Sequence, residues 1–177
     1  DTISHRDGPH VPLWDTLLDR VSADLSALTH RVAAAGEGRT LLLITADHGH
    51  VATPLAARTY LQDLPELEDL LALPPGGEAR HVNLYARGGA GAELLAFCRE
   101  RLAEGFSILD GREALAAGLY GPPGRAHPEA AARIGDVLLL ARGPNHLWDR
   151  EAHGQMLGMH GSLDGEEMLV PLIAIEM

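Results

Sequence analysis

The chain has 177 residues, of which 46% are hydrophobic, 22% charged and 4% aromatic. These proportions exclude a disordered or fibrous chain, and the length favours a single globular domain over residues 1–177 with an aliphatic core. The formal net charge of −11 argues against a protein that binds nucleic acid by neutralising many phosphates. An anionic substrate would therefore need local positive charge, such as a bound metal ion.

Cysteine content and hydropathy set the expected compartment. Cys98 is the one cysteine, so an intrachain disulfide is impossible and we predict a cytoplasmic rather than a secreted protein. No apolar run reaches the roughly 20 residues that cross a bilayer, and the first residues do not resemble a signal peptide. We expect no membrane span.

The first half of the chain begins with a long helix. Apolar residues between positions 11 and 35 recur at the three-to-four spacing of one helix face. The run TLLLITA, residues 40–46, predicts a buried parallel strand, because it is short and continuously apolar. Residues 53–77 contain four prolines and the piece PELEDLLALPP, which predicts a connecting loop with a short helix.

The second half continues the alternation of strands and helices. Further strands are predicted at residues 80–86, 106–109, 136–142 and 168–175, and helices at residues 90–103 and 112–117. This alternation predicts an α/β fold with a mainly parallel sheet flanked by helices on both faces.

The strongest chemical signal is Asp47-His48-Gly49, directly after the apolar run. Ligand sites of open α/β sheets lie outside the carboxyl ends of strands, where a carboxylate and an imidazole can hold a divalent ion. The structural alternative is a strand-ending turn in which Asp47 caps the next segment and Gly49 supplies a positive φ.

Two more segments carry histidines in suggestive patterns. Asp1 and His5 lie in the pattern D-x-x-x-H-x-x-G-P, whose spacing lets both side chains converge on one metal ion. His160 lies in Gly158-Met159-His160-Gly161, shortly before the last apolar run. Taken alone, His5 is as easily a surface histidine and His160 an ordinary loop residue. His50 and His10, which follow the first two motifs, are candidates for substrate or outer-shell contacts.

The order of these three motifs along the whole chain resembles the type I phosphodiesterase / nucleotide pyrophosphatase family of the alkaline phosphatase superfamily. The resemblance implies an alkaline-phosphatase-like fold of which this chain is the carboxy-terminal part only. It also implies two divalent metal ions, zinc before manganese. Asp1, His5 and His160 would bind one ion, and Asp47 and His48 would help to bind the other.

The resemblance further implies a small phosphoester substrate, nucleotides included, and hydrolysis of a phosphodiester or pyrophosphate bond. In the family the Thr or Ser nucleophile and another Asp ligand lie on the amino-terminal side of the first motif. We therefore expect no catalytic nucleophile within this chain and a missing amino-terminal half as its partner. Ser4, Thr45 and Ser162 are the internal hydroxyls close to the motifs.

Several alternatives stay open at this point. Related metal sites serve phosphomonoesterases, phosphonate hydrolases, phosphomutases and sulfatases of the same superfamily. A non-catalytic module that only binds metal would carry the same ligands. A plain α/β binding domain with coincidental motifs would bind no metal stoichiometrically.

Overall fold

The computed structural model describes residues 1–36, 40–149 and 155–176. The helices are α1 (Thr2–Asp7), α2 (Leu13–Ala35), α3 (Pro65–Leu70), α4 (Gly91–Arg101), α5 (Gly111–Ala116), α6 (Ala130–Ile134) and α7 (Gly165–Met168). The strands are β1 (Leu41–Thr45), β2 (Val51–Ala52), β3 (Arg58–Tyr60), β4 (Gly76–Glu78), β5 (His81–Leu84), β6 (Phe106–Asp110), β7 (Val137–Ala141), β8 (His146–Trp148), β9 (Gly158–Met159) and β10 (Leu172–Glu176). The predicted α/β class is confirmed.

The pairing of the described strands differs from the prediction of a mainly parallel sheet. β3 pairs with β8 in parallel, whereas the other paired strands run antiparallel. The largest sheet has four strands in the order β4-β5-β7-β6. Helix α4 connects β5 to β6, and these two strands are indeed parallel to each other, but β7 lies between them and is antiparallel to both. Helix alternation predicted the relative direction of β5 and β6 and could not predict this insertion.

The main core lies around the four-stranded sheet. All five residues of β7 are buried, and Leu138 and Leu139 have no exposed surface. Leu84 from β5 and Leu94 from α4 are equally buried. Leu84, Leu94 and Leu139 belong to one apolar cluster, whereas Leu138 belongs to a second one with Ala114 and Ile134. A continuous run such as VLLLA is typical of a strand that is buried on both faces.

Strand β1 is less buried than the sequence predicts. It pairs with β10 alone in a two-stranded antiparallel sheet, so the prediction of a buried parallel strand is wrong for the described residues. Leu43 is 57% exposed and Leu172 is 73% exposed, because none of the described residues forms a second layer over this pair. Helix α2 likewise contains no buried residue. Among the described residues, no helix has the length and apolar character that a membrane crossing requires.

Candidate metal centre

The first segment of the candidate site is helix α1. Asp1 occupies the N-cap position but makes no capping hydrogen bond; its carboxylate lies 3.3 Å from Nε2 of His5, one helical turn later. Nδ1 of His5 donates to the carbonyl of Gly158 at 2.9 Å. A carbonyl can only accept, so the hydrogen of this ring is on Nδ1 and the lone pair of Nε2 is free to bind a metal ion.

The second segment is the turn after β1. Nδ1 of His48 donates to the carbonyl of Gly49 at 2.9 Å, which again leaves Nε2 as the free nitrogen. The amide of Gly49 donates to the carbonyl of Glu167 at 2.9 Å. A Cβ atom at Gly49 would lie 2.0 Å from the carbonyl oxygen of Glu166, so this close approach requires glycine. Gly49 of the Asp47-His48-Gly49 motif is therefore needed for close packing. It is not needed for a positive φ, because its φ is not positive.

The third segment is strand β9, which pairs with β2 and packs against α1. A Cβ atom at Gly158 would lie 2.2 Å from the carbonyl oxygen of Ser4, so glycine lets the strand contact the helix. His160 follows this strand, and its ring stacks on that of His48 with centroids 3.5 Å apart. The small residues beside His160 thus bring the three segments together.

Four side chains converge closely enough to share one ion. Each of them offers a ligand atom within 4.8 Å of the others: Asp1, His5, His50 and His160. One carboxylate and three imidazoles are a ligand set that suits Zn²⁺. Nε2 of His50 is buried, makes no hydrogen bond and lies 3.5 Å from the Asp1 carboxylate. A buried nitrogen without a partner is costly unless something binds it, so the residues fit a metal ion.

The electrostatics of the histidines favour their neutral forms. Burial lowers the pKa of His50 to about 4, and the neighbouring rings of His5, His160 and His48 act in the same direction. Burial, followed by His48 and His5, also lowers the pKa of His160. Neutral imidazoles carry the lone pairs that metal binding needs, so these rings are available as ligands at neutral pH.

The five residues predicted from the motifs are distributed unevenly. Asp1, His5 and His160 belong to the four-residue group, whereas His48 touches it through the ring stack. Asp47 lies 3.5 Å from Nε2 of His48 and its side chain is 87% exposed. Hydrogen bonds from its own amide and that of His48 lower the pKa of Asp47, so it is a carboxylate with room for a ligand.

His50 was not predicted as a ligand, although it belongs to the four-residue group. The sequence contained one indication of its role: in Asp47-His48-Gly49-His50 two histidines lie on alternate residues. His10 is exposed and His146 is buried in β8, where its Nε2 accepts from Nε of Arg58 at 3.0 Å. Neither belongs to the group.

A cavity of about 330 Å³ adjoins the group and is lined by His5 and His160. Most of its other walls are apolar, with Leu61, Pro74 and Trp148 among them. A polar corner beside an apolar wall is the usual composition of a site for a small ligand.

The chain matches one protein family and is similar in fold to several solved structures. The sequence profile of the type I phosphodiesterase / nucleotide pyrophosphatase family matches residues 1–163. No curated protein matches the chain. The fold is similar to human ectonucleotide pyrophosphatase / phosphodiesterase 5, with a TM-score of 0.75 and 19% identity, over 98% of this chain and 44% of that protein.

Two further structures show the same fold. The inactive murine ectonucleotide pyrophosphatase / phosphodiesterase 5 in complex with AMP has a TM-score of 0.69 and 18% identity, over 98% of this chain and 44% of that protein. Phosphonoacetate hydrolase from Sinorhizobium meliloti 1021, in complex with phosphonoacetate, has a TM-score of 0.62 and 23% identity, over 97% of this chain and 43% of that protein. The chain thus spans less than half the length of each of these proteins.

Proposed function

The chain belongs to the type I phosphodiesterase / nucleotide pyrophosphatase family, and we propose that it is the metal-binding part of an enzyme that hydrolyses phosphodiester or pyrophosphate bonds. The observation that carries the proposal is the convergence of Asp1, His5, His50 and His160 within 4.8 Å. Three separate segments contribute these side chains, so the cluster is a product of the fold and not of local sequence.

We assign two divalent ions to the site, zinc before manganese. The first is held by Asp1, His5 and His160, with His50 as a fourth candidate ligand, and the second by Asp47 and His48. Two such ions would supply charge neutralisation at the phosphoryl oxygens and activation of the nucleophile. The hydrogen bonds from His5 to Gly158 and from His48 to Gly49 fix both rings with Nε2 free.

The substrate in this proposal is a small phosphoester, nucleotides included. The murine relative that bound AMP supports this class, as does the largely apolar cavity beside His5 and His160. Such a cavity suits the uncharged portion of a substrate whose phosphate faces the ligands.

We place the nucleophile and a further Asp ligand in a segment on the amino-terminal side of Asp1. The relatives are more than twice as long as this chain, and the exposed leucines of β1 and α2 offer apolar surface for additional layers. Two of the internal hydroxyls are poor candidates: Oγ of Ser162 is buried and donates to the carbonyl of Ala141 at 2.7 Å, and Ser4 is buried as well. By itself the chain would then be inactive.

Residues 1–177 are proposed to form one part of a single α/β domain of that larger enzyme. We retain the prediction of a cytoplasmic protein. Burial raises the pKa of the Cys98 thiol to about 12, so this cysteine is unreactive and suits a structural role.

A second candidate activity is phosphonate hydrolysis, which the similarity to phosphonoacetate hydrolase favours. A non-catalytic metal-binding module is the alternative from another class. It would bind metal with the same ligands and show no hydrolysis in any form of the protein.

The test combines elemental analysis with hydrolysis of a chromogenic phosphodiester and of phosphonoacetate. We compare the chain, a form extended upstream of Asp1, and the variants His50→Ala, His160→Ala and, as a control, the exposed His30→Ala. We expect bound zinc or manganese in the chain, its loss in H160A, its weakening in H50A, and diester hydrolysis in the extended form alone. Absence of metal from both unsubstituted forms would contradict the proposal, and hydrolysis by the short chain would place the nucleophile inside it.

A further inference from the structure

Arg80 is a fully buried arginine directly before β5, with no exposed surface. Its guanidinium donates to both carboxylate oxygens of Glu167, at 3.0 and 2.7 Å, and to the carboxylate of Asp164 at 3.1 Å. It also donates to the carbonyls of Gly143 and Asn145, at 2.7 and 2.8 Å. The acceptors of the guanidinium thus come from two regions. One is the loop between β7 and β8, which contains Gly143 and Asn145, and the other is helix α7 with its N-cap Asp164.

Glu167 is 2% exposed and remains ionised. Burial alone would raise its pKa, but the hydrogen bonds from Arg80 and the Ser162 amide, with the positive charge of Arg80, lower it below its ordinary value. The same side chain completes a capping box with Asp164 at the start of α7. These partners hold the buried carboxylate of Glu167 in one geometry.

Glu167 contacts two of the three segments that carry the candidate ligands. Its carboxylate accepts from the amide of Ser162 at 2.9 Å, in the loop that follows His160. Its backbone carbonyl accepts from the amide of Gly49 at 2.9 Å, between His48 and His50. One residue therefore connects two segments that are distant in sequence and adjacent at the metal centre.

Stability alone does not explain this arrangement. A buried ion pair gains little over a well-packed apolar pair, because the two charges must be removed from water. Apolar packing holds the rest of the sheet, as β7 demonstrates. The specific gain from Arg80 and Glu167 is directional: several fixed hydrogen bonds define where the two ligand segments lie.

We propose that Arg80 and Glu167 are positioning residues that hold His160 and the His48–His50 turn in the geometry that binds metal. This inference rests on the proposed metal-binding function. Outer-shell partners of metal ligands typically contribute about 10- to 100-fold in metal affinity. Here the contribution passes through the backbone of the two segments, because neither Arg80 nor Glu167 belongs to the ligand group among the described residues.

The main variant is Glu167→Gln, which keeps the size of the side chain and removes its charge. In either orientation the nitrogen of the Gln amide would face a donor of Arg80 and the backbone amide of Ser162 or Asp164, so the fork is broken. Arg80→Lys keeps the positive charge and loses the bidentate geometry. The matched control is Glu129→Gln, which breaks the exposed pair between Glu129 and Arg133, 2.8 Å apart. Leu139→Ala controls for a general loss of stability, since the core cluster that contains Leu139 includes no residue of either segment.

Two readouts are measured at a temperature where every variant is folded. The first is zinc affinity by competition with a chelator, and the second is amide hydrogen exchange of Gly49 in the metal-free protein. Gly49 is informative because its acceptor is the backbone carbonyl of Glu167, which E167Q does not remove. We expect E167Q and R80K to weaken zinc binding by about 10-fold or more and to speed exchange at Gly49. E129Q should leave both readouts unchanged.

The outcomes separate the two proposals. Unchanged zinc affinity and unchanged exchange in E167Q would overturn the positioning role, and so would equal losses in L139A. If neither the unsubstituted chain nor its extended form binds zinc or manganese, the proposed function fails. Faster exchange at Gly49 in E167Q but not in L139A would then still show that Glu167 positions the turn.

Discussion

Strand β7 of the four-stranded sheet and strand β1 of the β1–β10 pair have similar apolar sequences and are buried very differently. The run LLLIT in β1 is as apolar as VLLLA in β7. All of β7 is buried between β5, β6 and the helices, whereas β1 alternates between exposed and half-buried residues. An apolar run predicts that a strand forms, but the number of neighbouring layers decides whether the strand is buried.

The largest expected effect tests this difference in core packing. Replacing Leu139 of β7, which has no exposed surface, by alanine should cost about 2–5 kcal/mol of unfolding free energy, because a filled site becomes a cavity. The matched change Leu43→Ala in β1, where the side chain is 57% exposed, should change it by less than about 1 kcal/mol. Urea unfolding of both variants measures the difference. Equal losses would mean that β1 is as tightly packed as β7.

The elements were largely predictable from local patterns, and their pairing was not. The three-to-four spacing predicted a helix over residues 11–35, and the structure has α2 at Leu13–Ala35. The strand predicted at residues 136–142 is β7 at Val137–Ala141. The insertion of β7 between β5 and β6 depends on contacts far apart in sequence, which no window of residues contains.

The same limit applies to the candidate site. Asp1, His5 and His160 were predicted because each lies in a recognisable motif. His50 was not, since the motif Asp47-His48-Gly49 appeared complete without it. Arg80 carried no signal at all: a lone arginine at the start of a strand is ordinarily solvated, and its acceptors come from residues 143–167.

The second prediction concerns stability at acidic pH and the buried His146 of β8. Burial lowers the pKa of His146 to about 4, against the opposing effect of the hydrogen bond to the Pro144 carbonyl, and the charges of Arg58 and Arg80 lower it by smaller amounts. The unfolded chain, with an ordinary value of 6.5, therefore binds more protons between these two pH values. The contribution of the neutral ring to stability is complete above pH 6.5 and is lost as the pH falls towards 4.

The loss of unfolding free energy that is due to His146 should reach at most about 3 kcal/mol. Urea unfolding between pH 7.5 and pH 4.5 measures it, and His146→Gln should flatten the pH dependence relative to the unsubstituted protein. The exposed His127 provides the control, because H127Q should leave the slope as it is. A slope that H146Q does not alter would show that other groups cause the acid sensitivity.

The smallest expected effect compares two aspartates at helix N-caps, one beside the four-stranded sheet and one at the candidate metal centre. Asp110 precedes α5 beside the main sheet and accepts from the amides of Arg112 and Glu113 at 2.9 and 3.1 Å. Asp1 precedes α1 and makes no such bond; its carboxylate faces His5 and His50 at 3.3 and 3.5 Å. The same residue type at the same position therefore stabilises a helix in one region and faces imidazoles in the other.

Asp110→Ala should cost about 1 kcal/mol of unfolding free energy, the usual contribution of a helix cap, whether or not zinc is present. Asp1→Ala should cost less than about 0.5 kcal/mol in the metal-free protein. Saturating zinc stabilises a folded protein that binds it in proportion to the logarithm of its affinity, so a cost of D1A should emerge only when zinc is added. Thermal unfolding of both variants with and without zinc distinguishes the two roles. A cost of D1A that is independent of zinc would make Asp1 a structural residue and remove it from the ligand set.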